Sequence, residues 1–156
     1  MYRYRVYITR VVDGDTVDVD VDLGFGMIYK KQRVRMVAID TPESRTRDLE
    51  EKFYGKQSKY FLESLLKDQK IQLVSHDKGK FGRILGELFV DGVEISINQL
   101  MIDNHHAVPY YGGNKEATEK HHMANRKVLN EEGINYDPSD ILPSTFPPFN
   151  IKRRRH

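Results

Sequence analysis

The chain has 156 residues, 31% of them charged and 38% hydrophobic, with a net charge of +2 and no cysteine. That is enough chain for one domain with a real core, and it excludes disulfides, thiolate zinc sites and cysteine nucleophiles. No secretory signal is recognisable and no apolar run approaches the roughly 20 residues of a bilayer span, so a cytoplasmic protein without a membrane partner is expected.

Residues 2–12 alternate, with Tyr4, Val6 and Ile8 on one side, which predicts a half-buried strand. Asp13-Gly14 is a tight-turn signal. From Asp15 to Asp22 the alternation continues; Val17, Val19 and Val21 face a core, and Asp18, Asp20 and Asp22 face water. Asp15 shares the parity of the valines. The residues alone leave it either a solvated turn residue or an inward carboxylate that needs a compensating cation.

Gly24-Phe25-Gly26 marks a turn, and residues 28–40 read as a third strand. Its apolar run from Met36 to Ile39 has a guanidinium, Arg35, at one end and stops at Asp40-Thr41-Pro42-Glu43. Ser44 to Tyr54 is highly charged and reads as a mobile loop. Lys56 to Leu66 has a helical apolar stripe. Ile71 to Ser75 and Arg83 to Val90 read as strands, separated by the basic, glycine-punctuated stretch Asp77–Gly82. A short helix follows from Ser96 to Asp103.

After the polar aromatic stretch His105–Gly113, a third helix is predicted from Lys115 to Glu131, capped by Asn114 and stopped by Gly133. Its thin apolar stripe is Ala117, Ala124 and Val128, supported by Leu129 and His121. The expected domain is 1–136; residues 137–156 form a proline-rich extended tail ending in Lys152-Arg153-Arg154-Arg155. Five short strands with three helices predict an α+β fold with a mainly β core, a five-stranded OB-fold Greek-key barrel. Such a fold leaves the function open.

Three motifs carry chemistry: Asp13-Gly14-Asp15-Thr16-Val17, then Arg35 with Ile39-Asp40-Thr41-Pro42-Glu43, then Lys80-Phe81-Gly82-Arg83. In this order the chain resembles the staphylococcal nuclease (thermonuclease) family, collinearly over about residues 3–136. The resemblance implies a calcium ion held by Asp15, Asp40 and the Thr41 carbonyl, which suits an ion that takes oxygen ligands. It implies Glu43 as the group that orients or deprotonates water, and Arg35 and Arg83 as phosphate grips. The implied reaction is hydrolysis at P–O5′ of DNA, with RNA as a further substrate, leaving 3′-phosphate ends with little sequence preference. Substrate contacts are expected from Lys80, Phe81, Tyr110 and Tyr111, with the choice between the two tyrosines open. Phe81 stands where the best-known members carry tyrosine, so stacking is kept and a hydroxyl is lost. A monomer acting on single-stranded or locally open nucleic acid is expected, with no small-molecule cofactor.

Other readings fit less well. A surface ion-pair network does not explain why these residues fall at strand ends in this order. An EF-hand fails because the twelfth position from Asp13 is Gly24. His105-His106 and His121-His122 lack metal-ligand spacing and read as solvated or packing residues. The basic tail either adds phosphate affinity or only solubilises the end. The rival of a different class is a non-catalytic nucleic-acid- or protein-binding module of the same fold, which typically lacks some of these acids and arginines.

Overall fold

The computed structural model describes residues 2–78, 82–110 and 112–137. Five strands close a barrel in the order β1 (Tyr2–Asp13), β2 (Thr16–Gly24), β3 (Met27–Met36), β6 (Ile84–Val90) and β5 (Ile71–Lys78). The β3–β6 pairing is parallel and the others are antiparallel. That is the predicted OB-like barrel. A separate two-residue pairing joins β4 (Ile39–Asp40) to β7 (Val108–Pro109). Three helices, α1 (Leu49–Leu66), α2 (Ile97–Asp103) and α3 (Lys115–Glu131), complete the chain. Among the described residues no helix is long and apolar enough to cross a membrane. Apart from Asp137, the proline-rich tail lies outside the described residues.

Val17, Val19 and Val21 are buried as their alternation requires, and they meet Val34, Met36, Leu73 and Leu88 inside the barrel. Leu62 and Leu65 of α1 and Ile97 and Met101 of α2 close the core. Asp18, Asp20 and Asp22 are half-buried and engaged, not merely solvated. Asp18 pairs with Arg33, Asp20 accepts from the Lys31 N–H, and Asp22 accepts from the Gly24 N–H.

The third strand is shorter than its apolar run suggests. It ends at Met36, and Val37-Ala38 turn the chain, with Ala38 at φ 63°. Buried Asn98 of α2 holds the turn: its Nδ2 donates to the Val37 carbonyl at 2.9 Å and its Oδ1 accepts from Leu88 N–H at 3.1 Å. Val37 N–H still donates to the Gly86 carbonyl of β6 at 3.0 Å, while its own carbonyl turns to the Asn98 side chain, and Asp40 sits outside the barrel sheet.

The charged segment after Ser44 is not all loop. Asp48 caps α1 by accepting from Glu50 and Glu51 N–H at 3.1 and 3.2 Å, and both glutamates favour the positive end of the helix dipole. Helix α3 has the predicted bounds but not the predicted stripe. Ala117, Ala124 and His121 are exposed, Val128 is half-buried, and Leu129 is its buried residue. Polar contacts attach it instead: Tyr54 Oη donates to Asn130 Oδ1 at 2.7 Å, Asn125 Nδ2 donates to the Ala107 carbonyl at 3.1 Å, and Arg126 lies 5.1 Å over the Tyr54 ring.

Candidate active site

Asp15 lies in the turn before β2, where the strand alternation has not yet begun. Its carboxylate is nearly buried, but not for the reason its parity gave, since it does not join the valine core. Its neighbour is Arg35, which alternates with the buried Val34 and Met36 and so projects from the opposite face of β3. Asp15 Oδ2 is 3.4 Å from Arg35 Nη2, and Oδ1 accepts from the Thr16 hydroxyl at 2.8 Å. Its main-chain carbonyl accepts from Met36 N–H at 2.8 Å, which ties the turn to the end of β3.

Asp40 approaches the same guanidinium from another segment, with Oδ1 3.9 Å from Arg35 Nη2. Two carboxylates from distant parts of the chain therefore converge on one cationic nitrogen. Arg35 is itself fixed by its own loop: Nη1 donates to the Met36 carbonyl at 2.6 Å and Nη2 to the Ile39 carbonyl at 2.9 Å. These bonds bracket the Val37-Ala38 turn and set the end of the strand relative to Asp40.

The loop from Asp40 to Ser44 is held from several sides. Thr41 and Ser44 are buried, and the Ser44 hydroxyl donates to Asp13 Oδ1. A Cβ on Gly14 would stand 3.1 Å from Thr41 Cγ2 and 2.7 Å from Ser58 Cβ. A Cβ on Gly55 would stand 2.5 Å from the carbonyl carbon and oxygen of Glu43, so only glycine lets α1 approach the loop this closely. Glu43 itself is exposed at the end of this braced segment.

His122 of α3 was not foreseen as part of the site. Its Nε2 lies 2.8 Å from Asp40 Oδ2, and its side chain is only 11% exposed. His122 is therefore neither solvated nor simply packed. Gly55 was also missed, although a glycine inside a helix usually has a packing reason.

Burial pushes the Asp15 carboxyl above its ordinary range; Arg35 and the Thr16 and Thr41 side chains oppose this, and the Asp40 charge adds to it. Asp15 thus lacks full compensation for its negative charge. Two carboxylates with a hydroxyl and main-chain carbonyls nearby form an all-oxygen donor set, which fits a hard divalent cation. Among the described residues no group of three or more acidic or histidine side chains forms a ready metal cage. An ion held here would take its remaining ligands from main-chain oxygens, water or substrate.

Arg83 is not among the described partners of this cluster; it lines a neighbouring concavity with Arg33 and Asp18. Tyr110 is exposed beside the same turn, with its N–H donating to the Ala38 carbonyl at 2.9 Å. Lys80, Phe81 and Tyr111 lie outside the described residues.

A family model described as staphylococcal nuclease homologue matches residues 33–132. The chain is 30% identical to a thermonuclease of Staphylococcus hyicus over 123 residues, covering 78% of this chain and 69% of that one. It is 33% identical to an uncharacterised protein of Bacillus anthracis over 108 residues, covering 67% and 46% of the two chains. It is also 32% identical to an uncharacterised endonuclease of Escherichia coli over 96 residues, covering 61% and 54%. The chain spans about half the length of the latter two relatives.

Proposed function

Because the chain belongs to the staphylococcal nuclease homologue family, we propose that it is a calcium-dependent nuclease that hydrolyses phosphodiester bonds of DNA, and also of RNA, with little sequence preference. The observation that carries this reading is the convergence of Asp15 and Asp40 on Arg35, with Glu43 three residues further along the same braced loop. The catalytic unit is assigned to residues 1–136.

Asp15, Asp40 and the Thr41 carbonyl are the groups that would hold the ion. When bound, it would supply positive charge to a phosphoryl oxygen and so favour the charge that builds up in the transition state.

The protein's own groups do the rest. The exposed Glu43 carboxylate orients the attacking water and takes its proton. The water oxygen forms a bond to phosphorus as the P–O5′ bond breaks; O5′ leaves with the bonding pair and takes a proton from solvent, giving 3′-phosphate and 5′-hydroxyl ends. Arg35 is held in place by the Met36 and Ile39 carbonyls, so little reorganisation is needed before its guanidinium meets a phosphate. Arg83, just before β6, is the second grip. The exposure of Tyr110 beside the Ala38 turn supports a base-stacking role. Lys80, Phe81 and Tyr111 are assigned to substrate contact by the same reading.

Incubating the purified protein with single-stranded DNA in calcium and then in chelator tests the assignment. Calcium-dependent cleavage to 3′-phosphate ends is expected. Binding without metal-dependent cleavage would make the protein a non-catalytic module of the same fold.

A further inference from the structure

A concavity of about 670 Å³ opens on the outer face of the barrel, lined by Thr9, Asp18, Lys31, Arg33 and Arg83. It lies beside the candidate active site on the same sheet face. Arg33 and Arg35 are two residues apart on β3, both on the side opposite the buried Val34, which puts their backbones about 7 Å apart. Across the sheet Thr16 pairs with Arg35 and Asp18 with Arg33. Arg83 directly precedes Ile84, the parallel partner of Val34. One row of the face thus carries the candidate active site, and the next row carries the groove.

The groove brings three cations together with one carboxylate. Asp18 does not cancel them all, because both its oxygens are taken by Arg33, from Nε at 2.8 Å and Nη2 at 3.2 Å. That fork fixes the guanidinium and leaves its Nη1 uncommitted among the described residues. Arg83 Nε is buried with no hydrogen-bond partner among the described residues. Lys31 is placed by a bulge: its φ is 58°, its N–H donates to Asp20 Oδ1 at 3.0 Å, and the β2–β3 register shifts between Val19 and Val21. A lysine at positive φ is uncommon, and here the bulge brings its side chain to the groove.

We propose that this groove binds the phosphates flanking the scissile one along a single-stranded nucleic acid, with Lys31 and Arg33 as the contacts. The proposal rests on the nuclease reading for its direction, since it extends the path of the same strand beyond Arg35 and Arg83. The row spacing is on the scale of the phosphate repeat of an extended strand. Contacts to phosphates carry no sequence information, which agrees with cleavage of low sequence preference.

The test is the affinity of labelled thymidine dinucleotide and octanucleotide, measured by fluorescence anisotropy in chelator over a range of salt. The proteins compared are the wild type, Lys31→Glu, Arg33→Gln and a control, Lys67→Glu, at the exposed C-terminal end of α1. The wild type and the control gain affinity with length. In Lys31→Glu and Arg33→Gln that gain falls roughly tenfold, and the octanucleotide salt slope shrinks by about 0.7 per lost contact. An unchanged gain in both variants overturns the proposal, as does an equal loss at both lengths, which would mean a site for a lone phosphate. A protein that shows the length effect but never cuts defeats the nuclease reading and leaves the groove standing; one that cuts with an unaffected gain does the reverse.

Discussion

Asp40 and His122 are 82 residues apart in the chain and 2.8 Å apart in space, Oδ2 to Nε2. The contact joins the third helix to a candidate metal ligand that otherwise sits in a two-residue strand outside the barrel. A partner of this kind fixes the orientation of a ligand carboxylate. His122→Ala is expected to raise the calcium dissociation constant roughly 10- to 100-fold, and His122→Gln, which keeps an N–H donor, to recover part of that. Calorimetric calcium titration measures it directly. Equal calcium affinity in wild type and His122→Ala would reduce the contact to a helix tether.

Why His122 was not legible in the sequence follows from what periodicity encodes. A hydrophobic stripe reveals which side of a helix meets a core, but α3 is attached mainly by polar groups and buries Leu129 alone. The barrel, in contrast, is written plainly: Val17, Val19 and Val21 announce their strand and its inner face. The Val37-Ala38 turn was hidden because its stability comes from Asn98 and Arg35, which bond main-chain carbonyls that a pattern of apolar residues does not report. The charged start of α1 was hidden for a related reason, since Asp48, Glu50 and Glu51 serve the helix end and not an apolar face. Asp15, Arg35, Asp40 and Glu43 were singled out by the order of motifs that resembles the staphylococcal nuclease family, since the residues alone left Asp15 open between a solvated turn and an inward carboxylate.

Gly55 carries a second prediction. Its missing side chain leaves room for the Pro42 and Glu43 backbone, and a Cβ there would stand 2.7 Å from the Pro42 carbonyl oxygen. Both clashing groups are main chain, so neither can swing aside. Gly55→Ala should cost about 1–3 kcal/mol of stability and lower turnover by displacing Glu43. Urea denaturation read with a cleavage assay checks both. A variant with wild-type stability would show that α1 can move away freely.

Glu43→Gln and Arg83→Ala should each lower turnover by roughly 10²-fold or more, the scale of losing one transition-state contact. Neither change should unfold the protein, because Glu43 is exposed and Arg83 lies just outside β6. Single-turnover cleavage of a DNA oligonucleotide in calcium measures the effect. Wild-type rates in either folded variant would remove that residue from the mechanism.

His106 gives a prediction about pH and stability. Its ring is buried and stacks on Phe61 at 4.5 Å between centroids, and its carbonyl accepts from the buried Ser58 hydroxyl at 2.6 Å. Burial, with the nearby His105 charge adding to it, lowers the His106 pKa from 6.5 to about 4. Above the unfolded value the imidazole is neutral in both states and no stability is lost. Between the two values the unfolded chain binds a proton that the folded chain refuses, so stability falls as pH falls from about 6.5 to about 4. The full loss is on the order of 3 kcal/mol. Carboxylates also titrate over this range, so the informative quantity is the difference from His106→Phe, which keeps an aromatic ring against Phe61 and removes the proton site. Urea denaturation across that window should show the variant gaining on the wild type by up to about 3 kcal/mol as the solution is acidified. A difference that does not change with pH would mean that the folded protein accommodates the imidazolium.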